Sequence, residues 1–208
     1  MTAKKNNRQT AVLDILHPRF KISGIYAITS EGEVDFHHTQ SLLRSGVRIL
    51  QYRAKNTAPA DRYRCAEALL VLCKQYQTLL IINDDVELAQ KIGAHGVHLG
   101  ENDTTINHAR DWLGTDKLIG ISCYNRLKYA IEAEKAGADY VAFGSIFTSS
   151  TKPNAPRCTL RMIRQARAQL SIPIVAIGGI TLANKHLVLN AGAHAVAMIN
   201  ALKPQHKQ

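Results

Sequence analysis

The chain has 208 residues, 46% of them apolar, which suits one large domain or two small ones. No apolar run approaches the roughly 18 residues of a membrane span, and the polar, basic residues 1–10 hold no apolar signal-peptide core, so a cytoplasmic protein without a membrane partner is expected. The formal charge of +10 raises nucleic acid as a partner, yet the cations are spread along the chain and show no interleaving with aromatic residues. An anionic small molecule accounts for part of the charge equally well, and no nucleic-acid partner is expected.

Ala11, Val12, Ile15 and Leu16 recur at helical spacing and stop before Pro18, predicting a short helix on an N-terminal extension over residues 1–22. Strands are then predicted over residues 24–29, 48–53, 79–83, 96–99, 118–122, 140–143, 174–177 and 195–199. Helices are predicted between them over 35–45, 59–75, 86–92, 105–113, 127–136, 160–170 and 183–190. Pro59 sits where a helix tolerates proline best, at its first position. Leu79-Leu80-Ile81-Ile82-Asn83 is nearly continuous apolar sequence, as in a parallel strand covered on both faces. A long loop is expected over 144–159. The four cysteines, Cys65, Cys73, Cys123 and Cys158, form no C-x-x-C pair and are expected as reduced thiols.

Gly46, Gly93, Gly137 and Gly192 each stand just before an even-numbered strand, where a left-handed residue ends the preceding helix. That recurrence implies two strand-helix units per repeat and eight strands in all. Strict alternation makes the sheet parallel, and eight units favour a closed (β/α)8 TIM barrel over residues 23–208. An open doubly wound sheet is the alternative, but no G-x-G-x-x-G follows the first strand. The chain nearly stops after the eighth strand, leaving a truncated C-terminal helix. The outer face of that strand then needs a cover. The apolar residues near Leu16 are expected to supply it, in cis or from a partner subunit, which makes a homodimer possible.

In such a barrel the site lies at the C-terminal ends of the strands, and polar residues collect there. The second strand ends in Gln51, Arg53 and Lys55, which alternation points the same way. Two like charges there read either as a solvated strand end or as a grip on a phosphorylated ligand. Asp84 and Asp103 follow the third and fourth strands. They read either as helix N-caps or as hard ligands sharing a Mg2+ that arrives with a diphosphate. Asn83 and Ser122 end the third and fifth strands. Gly178-Gly179 reads as a tight turn or as backbone N–H groups facing a phosphate. Ser149, Ser150, Thr151 and Lys152 supply hydroxyls and a cation on the long loop, and Asn200 follows the eighth strand. His98, flanked by Val97 and Leu99, faces the barrel and reads as a packed, hydrogen-bonded histidine before a catalytic one.

With these residues in hand, the chain resembles the thiamine phosphate synthase family from about Gly24 to Asn200. The resemblance rests on Gln51-x-Arg53-x-Lys55, Ile82-Asn83-Asp84, Gly96-Val97-His98-Leu99-Gly100-x-x-Asp103 and Gly120-Ile121-Ser122. Gly144-x-Ile146-Phe147 leading to Thr151-Lys152, and Ala176-Ile177-Gly178-Gly179-Ile180, complete it. It implies a (β/α)8 barrel that transfers the aminopyrimidine-methyl group of hydroxymethylpyrimidine diphosphate to the nitrogen of a thiazole phosphate. By position, Gln51, Tyr52, Arg53, Ala54, Lys55, Asn83, Ser122 and Lys152 would hold the pyrimidine diphosphate. Asp84 and Asp103 would hold Mg2+, while Ser149 to Thr151, Gly178, Gly179, Ile199 and Asn200 would hold the thiazole phosphate. Arg53, Lys55, Lys152 and Ser122 would act in the chemical step. Thr148 and Ser149 stand where the family has proline and threonine, Asn200 where it has serine, and Asp85 where it has arginine. A thiazole tautomerase of the same fold would not need the full diphosphate site, and a non-catalytic nucleic-acid-binding or regulatory barrel would not need this convergence of polar strand ends.

Overall fold

A computed structural model describes residues 20–31, 33–148 and 156–199. The N-terminal helix, the cover for the eighth strand and the end of the chain lie outside the described residues. Among those described, strands and helices alternate in the order β1 (Gly24–Ile28), α1 (Phe36–Arg44), β2 (Ile49–Tyr52), α2 (Pro59–Gln75), β3 (Leu79–Asn83), α3 (Val86–Ile92), β4 (Gly96–Leu99), α4 (Ile106–Leu113). They continue with β5 (Leu118–Tyr124), α5 (Leu127–Lys135), β6 (Tyr140–Phe143), α6 (Leu160–Gln169), β7 (Ile174–Ile177), α7 (Lys185–Asn190) and β8 (Ala195–Met198). All neighbouring strands pair in parallel and β8 returns to β1, closing the barrel. The expected (β/α)8 barrel is therefore the fold. Two boundaries depart from the sequence pattern. β5 runs on to Tyr124 through a register shift against β6. The start of α7 is delayed because Thr181 and Asn184 exchange side-chain and backbone hydrogen bonds in a turn of their own.

Alternation divides the apolar residues into two cores. Outward-facing residues pack under the helices, and inward-facing ones, including Tyr26, Ile49, Ile81, Leu118, Tyr140 and Val175, fill the barrel. Ile22 and Phe20 join this interior cluster just before β1. The space is shared unequally. A Cβ on Gly120 would fall 2.0 Å from Tyr140 Cζ, and one on Gly96 would fall 2.2 Å from the Leu118 carbonyl oxygen. β4 and β5 thus carry no side chain where Tyr140 and Leu118 need room.

The repeated glycines all have positive φ, from 70° at Gly93 to 110° at Gly192. Two residues beyond three of them stands a side chain that accepts the N–H of the preceding strand. His95 Nδ1 takes Leu80 N at 2.9 Å, Asp139 Oδ2 takes Ile119 N at 2.6 Å, and His194 Nδ1 takes Ile174 N at 2.9 Å. The repeat therefore ends a helix and also satisfies a buried strand donor.

This arrangement makes stability sensitive to acid. Burial pushes the imidazoles of His95 and His194 below their ordinary value, assisted by Lys117 and Lys74 at the first and Arg167 at the second. Burial pushes His98 down to about 4. The unfolded chain then takes up protons near pH 6.5 before the folded one does, so stability falls as pH drops below that value. The unfolding free energy is expected to be level from pH 8 to 7 and to fall by a few kcal/mol by pH 5. Denaturant titrations at pH 7 and pH 5 measure this, and equal midpoints and slopes at the two values would contradict it.

Candidate active site at the C-terminal rim

A cavity of about 590 Å3 opens among the C-terminal ends of the strands. Gln51, Arg53, Asn83, Ser122, Gly178 and Ile199, all expected site residues, line it together with Tyr26 and His98. The second strand divides as alternation requires. Gln51 and Arg53 face this cavity, whereas Tyr52 is 3% exposed and packs in the layer beneath the helices. Tyr52 and Ala54 instead line a neighbouring cavity of about 380 Å3, shared with Arg62, Asp84 and Asp85. Lys55 is there too, departing from the expected common direction with Gln51 and Arg53. β2 ends at Tyr52, so the period of two no longer governs residue 55.

The acidic pair sits beside these cations. Lys55 Nζ is 2.6 Å from Asp84 Oδ2, and Arg53 pairs with Glu31 from the segment after β1. Asp84 holds φ at 63°, a left-handed conformation that is uncommon outside glycine, with its N–H donated to the His98 carbonyl. Neither aspartate caps a helix. Asp85 caps α3 by accepting Leu88 N, and Thr105 caps α4 by accepting His108 N. Asp85, in the place of the family's arginine, also pairs with Arg62 at 3.4 Å. Burial, and after it the adjacent Asp84 carboxylate, raises the Asp103 carboxyl above the ordinary range, opposed by the Gly100 N–H and Lys55. A carboxyl raised by burial and by a neighbouring carboxylate is an arrangement that a shared divalent cation relieves. No group of three or more ligating side chains occurs among the described residues. A set of two hard oxygen donors fits Mg2+, which keeps waters and takes its other ligands from phosphate.

Across the rim, Gly178 and Gly179 have φ of 102° and 60°. A Cβ on Gly178 would fall 2.0 Å from Ser145 Oγ, and one on Gly179 2.3 Å from the Thr148 carbonyl. The pair is packed against residues 144–148, with Phe147 N donating to the Gly178 carbonyl at 2.9 Å. Ser149, Ser150, Thr151, Lys152 and Asn200 lie outside the described residues.

The cavity floor is polar and buried. Gln51, Tyr26, Tyr140, His98 and Ser122 form successive side-chain hydrogen bonds across it. His98 is packed and hydrogen-bonded at both ring nitrogens, and its imidazole also stacks on Tyr140. Burial lowers its pKa against a smaller opposing effect from Asp103. Tyr26 and Tyr140 were not among the expected site residues. Their signal is phase alone, each standing two positions before another inward-facing residue on its strand.

Comparison with known proteins gives relatives over most of the chain. The sequence profile described as thiamine monophosphate synthase matches residues 25–202. The chain is 51% identical over 185 residues to the thiamine-phosphate synthase of Nitrosococcus oceani, covering 87% of this chain and 85% of that one. It is 51% identical to the protein of the same name from Methylobacillus flagellatus, covering 87% and 88%. The thiamine phosphate pyrophosphorylase structure from Pyrococcus furiosus superposes with a TM-score of 0.80 at 32% identity, covering 88% of each chain. Among the described residues no helix is long and apolar enough to cross a membrane. The chain belongs to the thiamine monophosphate synthase family and is a transferase.

Proposed function

We propose that the rim cavity joins hydroxymethylpyrimidine diphosphate to a thiazole phosphate, with Mg2+, to give thiamine phosphate and diphosphate. The observation that carries this reading is Lys55 paired with Asp84 beside Asp103, next to a cavity lined by Arg53, Gln51, His98 and Ser122. Anions and cations around one rim suit a metal diphosphate, and a buried polar floor suits a heteroaromatic ring.

The roles are those that the family resemblance implies for these residues. Gln51 and Ser122 hydrogen-bond the pyrimidine half, and Asn83, Arg53, Lys55 and Lys152 hold the diphosphate. Asp84 and Asp103 would hold Mg2+, which when bound neutralises charge on the departing diphosphate. The bond between the pyrimidine methylene carbon and the diphosphate oxygen breaks, and its electron pair leaves with diphosphate. The electron-rich ring carries the resulting positive charge, so the displacement is largely dissociative. The thiazole nitrogen then donates its lone pair to that carbon. Arg53, Lys55 and Lys152 stabilise the charge that builds on the leaving group. Gly178, Gly179, Ile199, Asn200 and the hydroxyls of Ser149, Ser150 and Thr151 would hold the thiazole phosphate. The barrel walls exclude water from the cationic carbon. No side-chain nucleophile is required.

Calorimetric titration of the pyrimidine diphosphate tests this site apart from turnover. Binding with Mg2+ is expected to be at least about tenfold tighter than in excess chelator, a difference of about 1.4 kcal/mol. Arg53→Ala is expected to weaken the Mg2+-supported binding further. Equal affinity with and without the metal would remove Asp84 and Asp103 from the proposed site.

A further inference from the structure

Five side chains form one continuous hydrogen-bonded path through the barrel floor. Gln51 Nε2 is 2.8 Å from Tyr26 Oη, which is 3.0 Å from Tyr140 Oη. Tyr140 Oη is 3.1 Å from His98 Nδ1, and His98 Nε2 is 2.9 Å from Ser122 Oγ. Tyr26 and Tyr140 are 1% and 0% exposed, and no buried polar side-chain atom among the described residues lacks a partner.

The proton count along this path leaves little freedom. A tyrosine hydroxyl carries one proton, and a neutral imidazole carries one N–H. With the Gln51 amide donating to Tyr26, the Tyr26 proton goes to Tyr140, and the Tyr140 proton goes to His98 Nδ1. The imidazole then bears its proton on Nε2 and donates it to Ser122 Oγ. Ser122 keeps its own proton for the cavity, and Gln51 keeps its carbonyl oxygen for the cavity. Reversing only the links beyond one tyrosine keeps the bonds but leaves that hydroxyl accepting twice, with its own proton unpaired in a buried site. Only reversal of the whole path, with the Gln51 amide turned round, also pairs every proton. A charged imidazole would also break it, and burial of His98 disfavours that form.

We infer that this path couples the two ends of the floor, presenting an acceptor at Gln51 and a donor at Ser122 together, and that Tyr26, Tyr140 and His98 are positioning residues selecting an aminopyrimidine over its oxo counterpart. The inference rests on the proposed pyrimidine site. An exocyclic amino group donates to the Gln51 oxygen, while a ring nitrogen or a diphosphate oxygen accepts from Ser122. An oxo group presents an acceptor to an acceptor at Gln51. Turning that amide would require the entire path to reverse and would leave Ser122 without a proton for the ligand. Sites whose polar groups are left unpaired by the wrong ligand discriminate strongly.

The test has two parts. First, 15N NMR of the histidine rings in the ligand-free protein at pH 7, with His98 identified from the spectrum of a His98→Gln variant, reads the tautomer. His98 is expected with Nε2 protonated and Nδ1 bare, and Tyr140→Phe is expected to give a mixture of the two tautomers. Second, competition binding between the 4-amino and 4-oxo pyrimidine diphosphates reads selectivity. The parent is expected to prefer the amino form by on the order of 100-fold, and Tyr140→Phe to lose at least about tenfold of that preference. Tyr26→Phe cuts the path one link earlier and is expected to give the same result where Tyr140→Phe does not fold. A parent His98 protonated on Nδ1, or a folded Tyr140→Phe protein with tautomer and selectivity unchanged, overturns the inference. If neither pyrimidine binds, the proposed substrate falls, while the tautomer alone still supports or overturns the path.

Discussion

Asp84→Asn is expected to lower turnover by about 10²–10³-fold, the loss typical when one electrostatic stabiliser of a transition state is removed. It is expected to leave the unfolding free energy within about 1 kcal/mol of the parent. The two expectations have separate causes. The Asp84 carboxylate makes an ion pair with Lys55, whose side chain is 50% exposed, and pairs of that kind contribute little to stability. Its backbone sits at φ 63°, which asparagine tolerates better than other residues with side chains. Nor does it cap α3, because Asp85 does. What asparagine loses is the charge beside Asp103. Asp84→Gly sharpens the contrast, since glycine adopts positive φ without steric cost and the variant should be no less stable through strain, yet equally impaired. Steady-state rates beside denaturant unfolding check both variants. An Asp84→Asn protein that keeps activity within a few-fold of the parent would remove the metal role. One that unfolds markedly more easily would make Asp84 structural.

Gly120→Ala is expected to damage the fold and the site together. The new methyl would lie 2.0 Å from Cζ and 2.4 Å from Cε1 of Tyr140, a ring with no exposed surface. The ring would have to move within a filled barrel, and overpacking of this kind costs about 1–3 kcal/mol or more. The melting temperature should fall by about 2–12 °C, at roughly 2–4 °C per kcal/mol for a chain of this length. The same displacement would pull the Tyr140 hydroxyl away from Tyr26 and His98. Tyr140→Phe should not rescue the stability of Gly120→Ala, because Cζ and Cε1 remain in phenylalanine. A Gly120→Ala protein that melts with the parent would show that the barrel interior has slack that the packing does not suggest.

Strand order and the rim were legible in the sequence because both rest on local rules. Alternation, helix-ending glycines and Pro59 place each element within about two residues, the usual margin of such boundaries. Alternation also turns Gln51 and Arg53 to one side and Tyr52 to the other. It fails at Lys55, past the end of β2, where the partner rather than the period decides direction. The choice between N-cap and metal ligand at Asp84 was not legible, because asparagine-aspartate-aspartate offers two adjacent candidates for one cap. The structure gives the cap to Asp85. Least legible was the floor. The Tyr26–Tyr140 contact joins residues 114 positions apart and exists only because the barrel closes. Local pattern marks both tyrosines as inward, but says nothing of where their hydroxyls meet.

The most direct test of the proposed activity is to incubate the purified protein with hydroxymethylpyrimidine diphosphate, thiazole phosphate and Mg2+, and to quantify thiamine phosphate and diphosphate together. The expected result is catalytic formation of both in equal amounts, dependent on each substrate and abolished by excess chelator. Absence of thiamine phosphate under those conditions, or undiminished formation in excess chelator, would contradict the account of the rim given by Arg53, Lys55, Asp84 and Asp103.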